Sequence, residues 1–296
     1  MVSSIVGNYL LDKGLITIEQ FRDLLKEYRK TRVKLGLIAV AEGMMMQEEA
    51  DRVNGLQAIM DKRFGDIAVE EGYLTEGQVD ILLLKQGNAY LSFAQCLENQ
   101  QLMSIEQLEM YMMDLQEDYN FTYADIEDLK SDNVDRILPL YIPEDCGRYF
   151  NIAGTAVRAL MRCVDTEIYP DKAYLANECP ADNGALQYTI GDISVTCALA
   201  GKGQTLLKTA SIFGREDFPE VNEDALDALG ELLNCVNGLF ATALSQGGSE
   251  TELYPPEYSC NITGIQGEML VLPLYVMGEK IDFLIAIDNE LKLKMK

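Results

Sequence analysis

The sequence predicts an α+β protein with two domains, an all-helical repeat domain followed by a domain of mixed helices and strands. A glycine-containing pattern recurs every 29 residues in the first part of the chain, at Gly7, Gly36 and Gly65. The second half alternates between apolar strand-like segments and two long helices. With 296 residues, of which 48% are hydrophobic, the chain is long enough for two separate cores.

The first half of the chain contains four copies of one pattern. The stretches that start at Val6-Gly7, Leu35-Gly36 and Phe64-Gly65 align without gaps, and each reaches a second glycine seven residues later. A fourth, degenerate copy keeps the same offset, with Ala94 in the first glycine slot. Units of this length cannot bury their apolar faces alone, so we expect them to pack into one helical domain. It would span residues 1–117, with units near 5–31, 34–60, 63–89 and 92–116.

Each unit is predicted to be a helix, a glycine that ends it, and a second capped helix. The terminating glycines should adopt the left-handed conformation; they are Gly14, Gly43 and Gly72. Thr17 and Thr75 are expected to cap the second helices, with Glu19 and Gln78 near the capping-box position. The earlier glycines, Gly7, Gly36 and Gly65, are expected to permit close contact between helices.

The middle two units carry the tandem motif Lys34-Leu35-Gly36 and Arg63-Phe64-Gly65, with a spacer at 58–62. They resemble the N-terminal domain of type II secretion and type IV pilus assembly ATPases, in which two such motifs in tandem bind cyclic di-GMP. The resemblance implies that the basic residues meet phosphate while the glycines let the ligand approach. Smaller residues replace the large apolar ones usual in such a site; they are Ala39, Ala50 and Asn54. A helical docking or dimerisation module without ligand is the alternative, and no Walker motif of the ATPase itself occurs.

Residues 118–146 lose the repeat pattern and are rich in acidic residues, and Pro139 and Pro143 interrupt their second half. This composition predicts a linker of mixed order. The second domain is therefore expected to span residues 147–296.

The second domain should begin with an amphipathic helix near 150–163. Strand-like segments follow at 187–199 and 205–213, and Gly201-Lys202-Gly203-Gln204 is predicted to be the hairpin turn between them. An apolar helix at 222–240 comes next, and then strands near 258–263, 269–276 and 282–287.

The apolar helix at 222–240 carries one narrow polar stripe. Asp227, Glu231, Asn234 and Gly238 follow the spacing i, i+4, i+7 and i+11 and therefore share a face. A carboxamide can hold a water molecule in line with a phosphorus atom, and a neighbouring carboxylate can bind a cationic group. The spacing of Glu231 and Asn234 alone is more often just the polar edge of an amphipathic helix.

The fuller string Asp227-x-x-x-Glu231-x-x-Asn234, with Gly238 after it, resembles the signature of the CheC/CheX family of chemotaxis phosphatases. In that family a proline follows a little over twenty residues after the asparagine; here Pro255 and Pro256 lie slightly closer. The resemblance covers about residues 147–296. It implies an α+β domain with a mainly antiparallel sheet and two long helices.

The implied activity is hydrolysis of the aspartyl phosphate on a CheY-type receiver domain. By resemblance, Asn234 places the attacking water and Glu231 contacts the receiver's active-site lysine. The protein would need no cofactor or metal of its own, because the Mg²⁺ belongs to the receiver. Asp227 also fits a simpler role, since an acidic residue near a helix start complements the helix dipole.

The earlier long helix, near 150–163, has no second Glu-x-x-Asn. The resemblance therefore implies one site per chain, as in the CheX branch, and a homodimer, since that branch tends to dimerise.

Composition excludes several other classes of function. The net charge of −24 argues against nucleic acid and anionic membrane surfaces as partners. The seven cysteines form no Cys-x-x-Cys and the chain has no histidine, so neither a zinc site nor a disulfide framework is favoured, and the cysteines are expected to be reduced core residues. No signal peptide or membrane-spanning run is apparent, so the cytoplasm is the expected compartment and no membrane insertion is expected.

Two other functions remain open. The second domain could bind a receiver as an adaptor without turnover, or the N-terminal repeats could make the protein a cyclic di-GMP sensor. The presence of both Glu231 and Asn234 favours the phosphatase over the adaptor, and the small residues in the first tandem motif count against the sensor.

Overall fold

The computed structural model describes residues 1–31, 33–60 and 62–296. It divides into two compact domains, an N-terminal domain of Val2–Asn133 and a C-terminal domain of Val134–Lys296 together with Met1. The N-terminal domain is helical and the C-terminal domain carries an antiparallel sheet, which confirms the predicted α+β class.

The helices of the N-terminal domain follow the repeat. They are α1 (Val2–Asp12), α2 (Ile18–Glu27), α3 (Leu35–Ala41), α4 (Gln47–Met60), α5 (Phe64–Glu70), α6 (Glu76–Leu84), α7 (Ala89–Asn99), α8 (Ile105–Tyr119) and α9 (Tyr123–Lys130). The spacer predicted at 58–62 includes Asp61, which lies outside the described residues.

The turn that ends the first helix of each unit has the predicted left-handed conformation. Gly14, Gly43 and Gly72 have φ angles of 70°, 64° and 77°. The fourth unit makes the same turn at the equivalent position with Gln101, whose φ is 56°. A side chain is rare in this region of φ, so the turn is retained in the degenerate unit at some cost in strain.

The second helices begin with capping boxes at Thr17 and Thr75, as predicted. The capping-box partner of Thr17 is Gln20 and not Glu19. The side chain that accepts a hydrogen bond from the N-cap amide must come from the residue three positions after the cap. The fourth unit has the same box at Ser104 and Gln107.

The first glycine of each complete unit lies against a neighbouring side chain. A Cβ atom on Gly7 would lie 2.1 Å from Phe21 Cε2, one on Gly65 would lie 2.7 Å from Val79 Cγ1, and one on Gly36 would lie 3.0 Å from Phe64 Cε2. The expectation that these glycines permit close helix contact is therefore confirmed.

The segment at 118–146, expected to be a linker, is largely helical. It holds α9, the short helix α10 (Val134–Ile137) and 3₁₀ turns at Leu138–Leu140 and Glu144–Tyr149. A capping box between Thr122 and Asp125 starts α9, which explains the helix in an acidic stretch. The division between the two domains falls inside this segment, between Asn133 and Val134.

The C-terminal domain is built on one nine-stranded antiparallel sheet. Its strands are β1 (Tyr169–Pro170), β2 (Tyr174–Cys179), β3 (Asn183–Gly191), β4 (Val195–Gly201), β5 (Thr251–Leu253), β6 (Glu257–Ser259), β7 (Ile262–Val276), β8 (Glu279–Ile287) and β9 (Lys292–Met295). The order is β1-β7-β8-β4-β3-β5, with β2 and β9 also paired to β7 and β6 to β3. The helices are α11 (Phe150–Cys163), α12 (Leu207–Gly214) and α13 (Glu223–Gln246).

The predicted strand at 205–213 is wrong, because most of this segment forms α12. Leu206, Thr209 and Ala210 are buried, and their i, i+3, i+4 spacing is that of a helix. The predicted hairpin turn at Gly201-Lys202-Gly203-Gln204 is also wrong, since it leads into α12. The hairpin instead joins β3 and β4 at 192–194, inside the segment predicted as one strand.

The two strands predicted near 258–263 and 269–276 are divided differently in the structure. The short β6 is separate, and β7 runs through 262–276 as one strand. Gly264 and Gly267 lie within β7 and admit close backbone neighbours. A Cβ on Gly264 would lie 2.7 Å from the Cys179 carbonyl oxygen, and one on Gly267 would lie 2.5 Å from that of Glu290.

The seven cysteines are free, but only four are buried, namely Cys96, Cys146, Cys179 and Cys197. The expectation that they are core residues is therefore wrong for Cys163, Cys235 and Cys260, which are exposed. Burial raises the pKa of the Cys179 thiol to about 12 and also raises that of Cys197. These thiols stay protonated at neutral pH, and the protonated form does not react as a nucleophile.

We expect a colorimetric disulfide reagent to modify three thiols of the native protein at neutral pH and the other four only after unfolding in guanidinium chloride. The three are the exposed cysteines. Rapid reaction of more than three thiols, before unfolding, would show that the buried thiols are accessible.

Candidate functional site

The polar stripe predicted for the long apolar helix lies on the accessible side of α13. Asp227 and Glu231 are exposed, whereas Asn234 and Gly238 are half-buried. The apolar positions between them are fully buried, namely Leu226, Leu229, Leu233 and Val236. Asn222 caps the start of the helix by accepting a hydrogen bond from the Ala225 amide at 2.9 Å.

Glu231 and Asn234 are brought together by one turn of the helix. Asn234 Nδ2 donates to Glu231 Oε2 over 3.5 Å, a long hydrogen bond at an exposed position. A carboxylate and a carboxamide therefore face the same small area of surface.

The other side of the Asn234 amide is held by a buried glutamine on the sheet. Gln187 lies on β3 and its Nε2 donates to Asn234 Oδ1 at 2.9 Å and to the Tyr254 carbonyl oxygen at 2.8 Å. Asn237, one turn further along α13, donates from Nδ2 to Gln187 Oε1 at 2.9 Å. Gln187 and Asn237 are each 1% exposed, so this chain of amides lies inside the domain and reaches the surface at Asn234.

The two hydrogen bonds do not use all of the hydrogen-bonding groups of the Asn234 carboxamide. A carboxamide has two N–H protons and two carbonyl lone pairs. Glu231 uses one proton and Gln187 one lone pair. One proton of Nδ2 and one lone pair of Oδ1 remain. Nδ2 lies on the side of exposed Glu231, so its free proton is the group available to a water molecule.

The Asp227 side chain contacts a residue of β6 and not the other residues of the polar stripe on α13. Its carboxylate accepts a hydrogen bond from the Tyr258 hydroxyl, which is the largest cause of the raised pKa of Tyr258, with burial second. This contact gives Asp227 a structural role in attaching β6 to α13.

Pro256 packs against α13 directly beside the site. A Cβ on Gly230, the residue before Glu231, would lie 3.0 Å from Pro256 Cβ. Gly238 has a different environment, because a Cβ there would meet no described atom within 4 Å. The helix surface beyond Asn234 is therefore open.

Gln187 and Asn237 were not predicted from the sequence. Gln187 is a single polar residue in an apolar strand, and Asn237 lies three residues after Asn234 on the apolar side of the helix. Buried amides are rare without partners, so two of them in predicted core positions were a usable signal of a polar network.

The second set of predicted residues lies at the starts of α3 and α5. Lys34 and Arg63 are the N-cap residues of these helices, both exposed, and Arg63 forms an ion pair with Asp66 at 3.1 Å. Phe64 is buried against Gly36, whereas Leu35 is half-buried.

These residues border two different cavities. One is lined by Lys34 and Gly36 with the carboxylates of Asp51 and Glu98. The other is lined by Leu35, Arg63 and Gly65 with four carboxylates, those of Asp66, Glu70, Glu76 and Asp80. In each cavity carboxylates outnumber cations, which disfavours a ligand with two phosphates. Cyclic di-GMP binding stays a prediction.

The described residues contain neither a cluster of metal ligands nor a helix that could span a membrane. In the described ranges, no group of three or more cysteine, aspartate or glutamate side chains is arranged to hold a metal ion. No helix outside the two gaps at 32 and 61 is both long enough and apolar enough to span a membrane.

Comparison with known proteins gives one family match. The model of the family described as chemotaxis phosphatase CheX matches residues 184–263, a stretch that contains Glu231, Asn234 and the Gln187 network. A comparison with curated proteins gives no match.

Several solved structures are also similar to part of the chain. A chemotaxis protein CheX from Desulfovibrio desulfuricans is 16% identical, with a TM-score of 0.41, over 47% of this chain and 98% of that one. CheX from Vibrio vulnificus is 16% identical, with a TM-score of 0.40, over 47% and 97%. A chain of the CheX-CheY-BeF3-Mg complex from Borrelia burgdorferi is 21% identical, with a TM-score of 0.39, over 46% and 95%.

Proposed function

We propose that this protein is a phosphatase that hydrolyses the aspartyl phosphate of a CheY-type response regulator, in chemotaxis or a related two-component system. One observation carries the proposal. Within the stretch that matches the CheX family, Glu231 and the Asn234 carboxamide lie side by side on an accessible helix face.

The reaction suits a site that has no nucleophile of its own. Water attacks the phosphorus atom, the bond from phosphorus to the aspartyl oxygen breaks, and the aspartate leaves as a carboxylate while the water gives inorganic phosphate. An acyl phosphate is already reactive, so orienting the water supplies a large part of the acceleration. The chain contains no histidine to serve as a general base.

The roles of Asn234 and Glu231 follow from the hydrogen-bonding and charged groups that they present on the accessible side of α13. The free Nδ2 proton of Asn234 holds the water, and Glu231 binds the receiver's active-site lysine. By the same resemblance to the CheX family, the receiver would hold the Mg²⁺, which would neutralise negative charge on the phosphoryl group.

The test is phosphate release from a receiver domain loaded by its kinase or by acetyl phosphate, with and without this protein. We expect the loss of the phosphoryl group to be faster than the receiver's own decay, and to require Mg²⁺. A receiver that binds but decays at its own rate would instead indicate an adaptor without turnover.

Glu231→Gln should lower kcat/KM about 10-fold or more, because a neutral amide cannot form the interfacial ion pair with the receiver's lysine. The same substitution at Glu290, an exposed residue of the turn before β9, is the matched control and should change kcat/KM less than about 2-fold. Equal effects of both substitutions would show that Glu231 contributes only to the general surface charge.

A further inference from the structure

We propose that Gln187 and Asn237 are positioning residues, which hold the Asn234 carboxamide in the one orientation that directs its Nδ2, with the free N–H proton, outward to the water. This inference rests on the proposed phosphatase function. It extends the site from the helix surface to a strand residue 47 positions earlier in the chain.

The orientation is set by two backbone carbonyl groups, which can only accept hydrogen bonds. The Tyr254 carbonyl oxygen lies 2.8 Å from Gln187 Nε2, so the side chain of Gln187 must place its nitrogen there. The backbone carbonyl oxygen of Gln187 lies 3.5 Å from Asn237 Nδ2, so the side chain of Asn237 must also place its nitrogen toward a backbone acceptor. Rotating either amide by half a turn would bring two oxygen atoms into contact, which is unfavourable in a buried site.

The orientations of Gln187 and Asn237 determine the orientation of the Asn234 amide. Because Gln187 presents Nε2 toward α13, Asn234 must point Oδ1 inward to accept it at 2.9 Å. Its Nδ2 is then directed outward, where it meets Glu231 Oε2. Without the network, the half-buried amide could exchange its oxygen and nitrogen at little cost.

Burial makes this arrangement rigid. Gln187 and Asn237 are 1% exposed, and their amides do not ionise between pH 5 and pH 9. A water molecule cannot readily replace a partner that is excluded from solvent, so the orientation is set before a receiver binds. Catalysis by orientation depends on such preorganisation.

The experiment measures kcat and KM for dephosphorylation of the loaded receiver by the full-length Gln187→Met variant. Methionine keeps the length and volume of the side chain but donates no hydrogen bond, and its sulfur is only a weak acceptor. We expect kcat to fall about 10-fold or more, with KM changed less than about 2-fold, because misplacement of a positioning group affects the bound complex and not its formation.

Thr189→Val is the matched control. Thr189 is two residues along β3 on the same face, is 2% exposed and donates to the Val195 carbonyl oxygen at 3.3 Å. Its replacement also removes a buried hydrogen bond, yet should leave kcat within about 2-fold of wild type because it has no contact with Asn234 in the described structure.

Gln187→Glu gives a second readout that a merely structural residue would not produce. At high pH the introduced carboxylate cannot donate to Asn234 Oδ1, so kcat should be low. At lower pH the carboxyl group is protonated and its one O–H can donate to Asn234 Oδ1, although not to the Tyr254 carbonyl oxygen at the same time. We therefore expect kcat to recover in part, by several-fold, as the pH falls from about 8.5 to about 5.5. The ratio of variant to wild-type rates at each pH removes any pH effect on the receiver.

The possible outcomes distinguish failure of the positioning role from failure of the proposed phosphatase function. Turnover by wild type, combined with Gln187→Met values equal to those of Thr189→Val, overturns the positioning role alone. A Gln187→Glu variant whose rate relative to wild type does not change with pH would also overturn the positioning role. Absence of turnover by the wild-type protein overturns the phosphatase function, and the positioning role with it.

Discussion

Asn234→Ala is expected to lower the rate of receiver dephosphorylation about 100-fold or more, the scale of loss seen when one preorganised group of a catalytic site is removed. Alanine retains the helix but offers no donor or acceptor to the water. The measurement is kcat for phosphate release from the loaded receiver, with the circular dichroism spectrum as a check of folding. Asn234→Asp should be equally impaired, because a second carboxylate beside Glu231 repels the phosphoryl group.

The matched control is Asn151→Ala, which removes an exposed asparagine from the other long helix, α11. It should leave kcat unchanged within about 2-fold. A loss of activity in this variant would indicate a second site on α11, which the single motif of the sequence does not predict. Full activity of Asn234→Ala would remove the central residue of the proposed mechanism.

Gly7→Ala is expected to destabilise the protein by about 1–3 kcal/mol, the usual cost of inserting a methyl group into a packed contact. The added carbon would lie 2.1 Å from Phe21 Cε2, and Phe21 is only 6% exposed and has little room to move. The measurement is the urea midpoint of unfolding, followed by the helical circular dichroism signal. Gly36→Ala should cost less, because its nearest atom would be 3.0 Å away.

Gly55→Ala is the control for helix propensity. Gly55 lies within α4 and a Cβ there would meet no described atom within 4 Å. Alanine should stabilise the helix at this site by about 0.5–1 kcal/mol. A Gly7→Ala variant as stable as Gly55→Ala would show that the repeat glycines are not required for close helix packing.

Local signals predicted the helical repeat well. The glycine turns at Gly14, Gly43 and Gly72 depend on the φ angle of single residues, and the capping boxes on residues three positions apart. Such features are decided within one or two turns of chain, so they can be read from a pattern. Local patterns also explain why Glu19 was named near the capping-box position in place of Gln20. The partner must lie three residues after Thr17, and Glu19 is one residue too early.

Strand boundaries in the C-terminal domain were harder to predict. The segment at 205–213 alternates enough to suggest a strand, but tertiary packing of Leu206 and Ala210 selects a helix. The segments predicted near 258–263 and 269–276 are divided as β6 and one long β7, in which Gly264 and Gly267 admit the backbone of neighbouring segments. In both cases the deciding atoms belong to residues far away in sequence.

The sequence by itself determined that Glu231 and Asn234 lie on one face of a helix, because a helix repeats every 3.6 residues and needs no other part of the chain for this. Only the tertiary structure decided how the Asn234 amide points. Gln187 and the Tyr254 carbonyl come from a strand and a loop that no local pattern relates to α13, and their hydrogen bonds form only when the sheet and the helix pack together. Periodicity places a side chain on a surface, whereas buried long-range hydrogen bonds set its orientation.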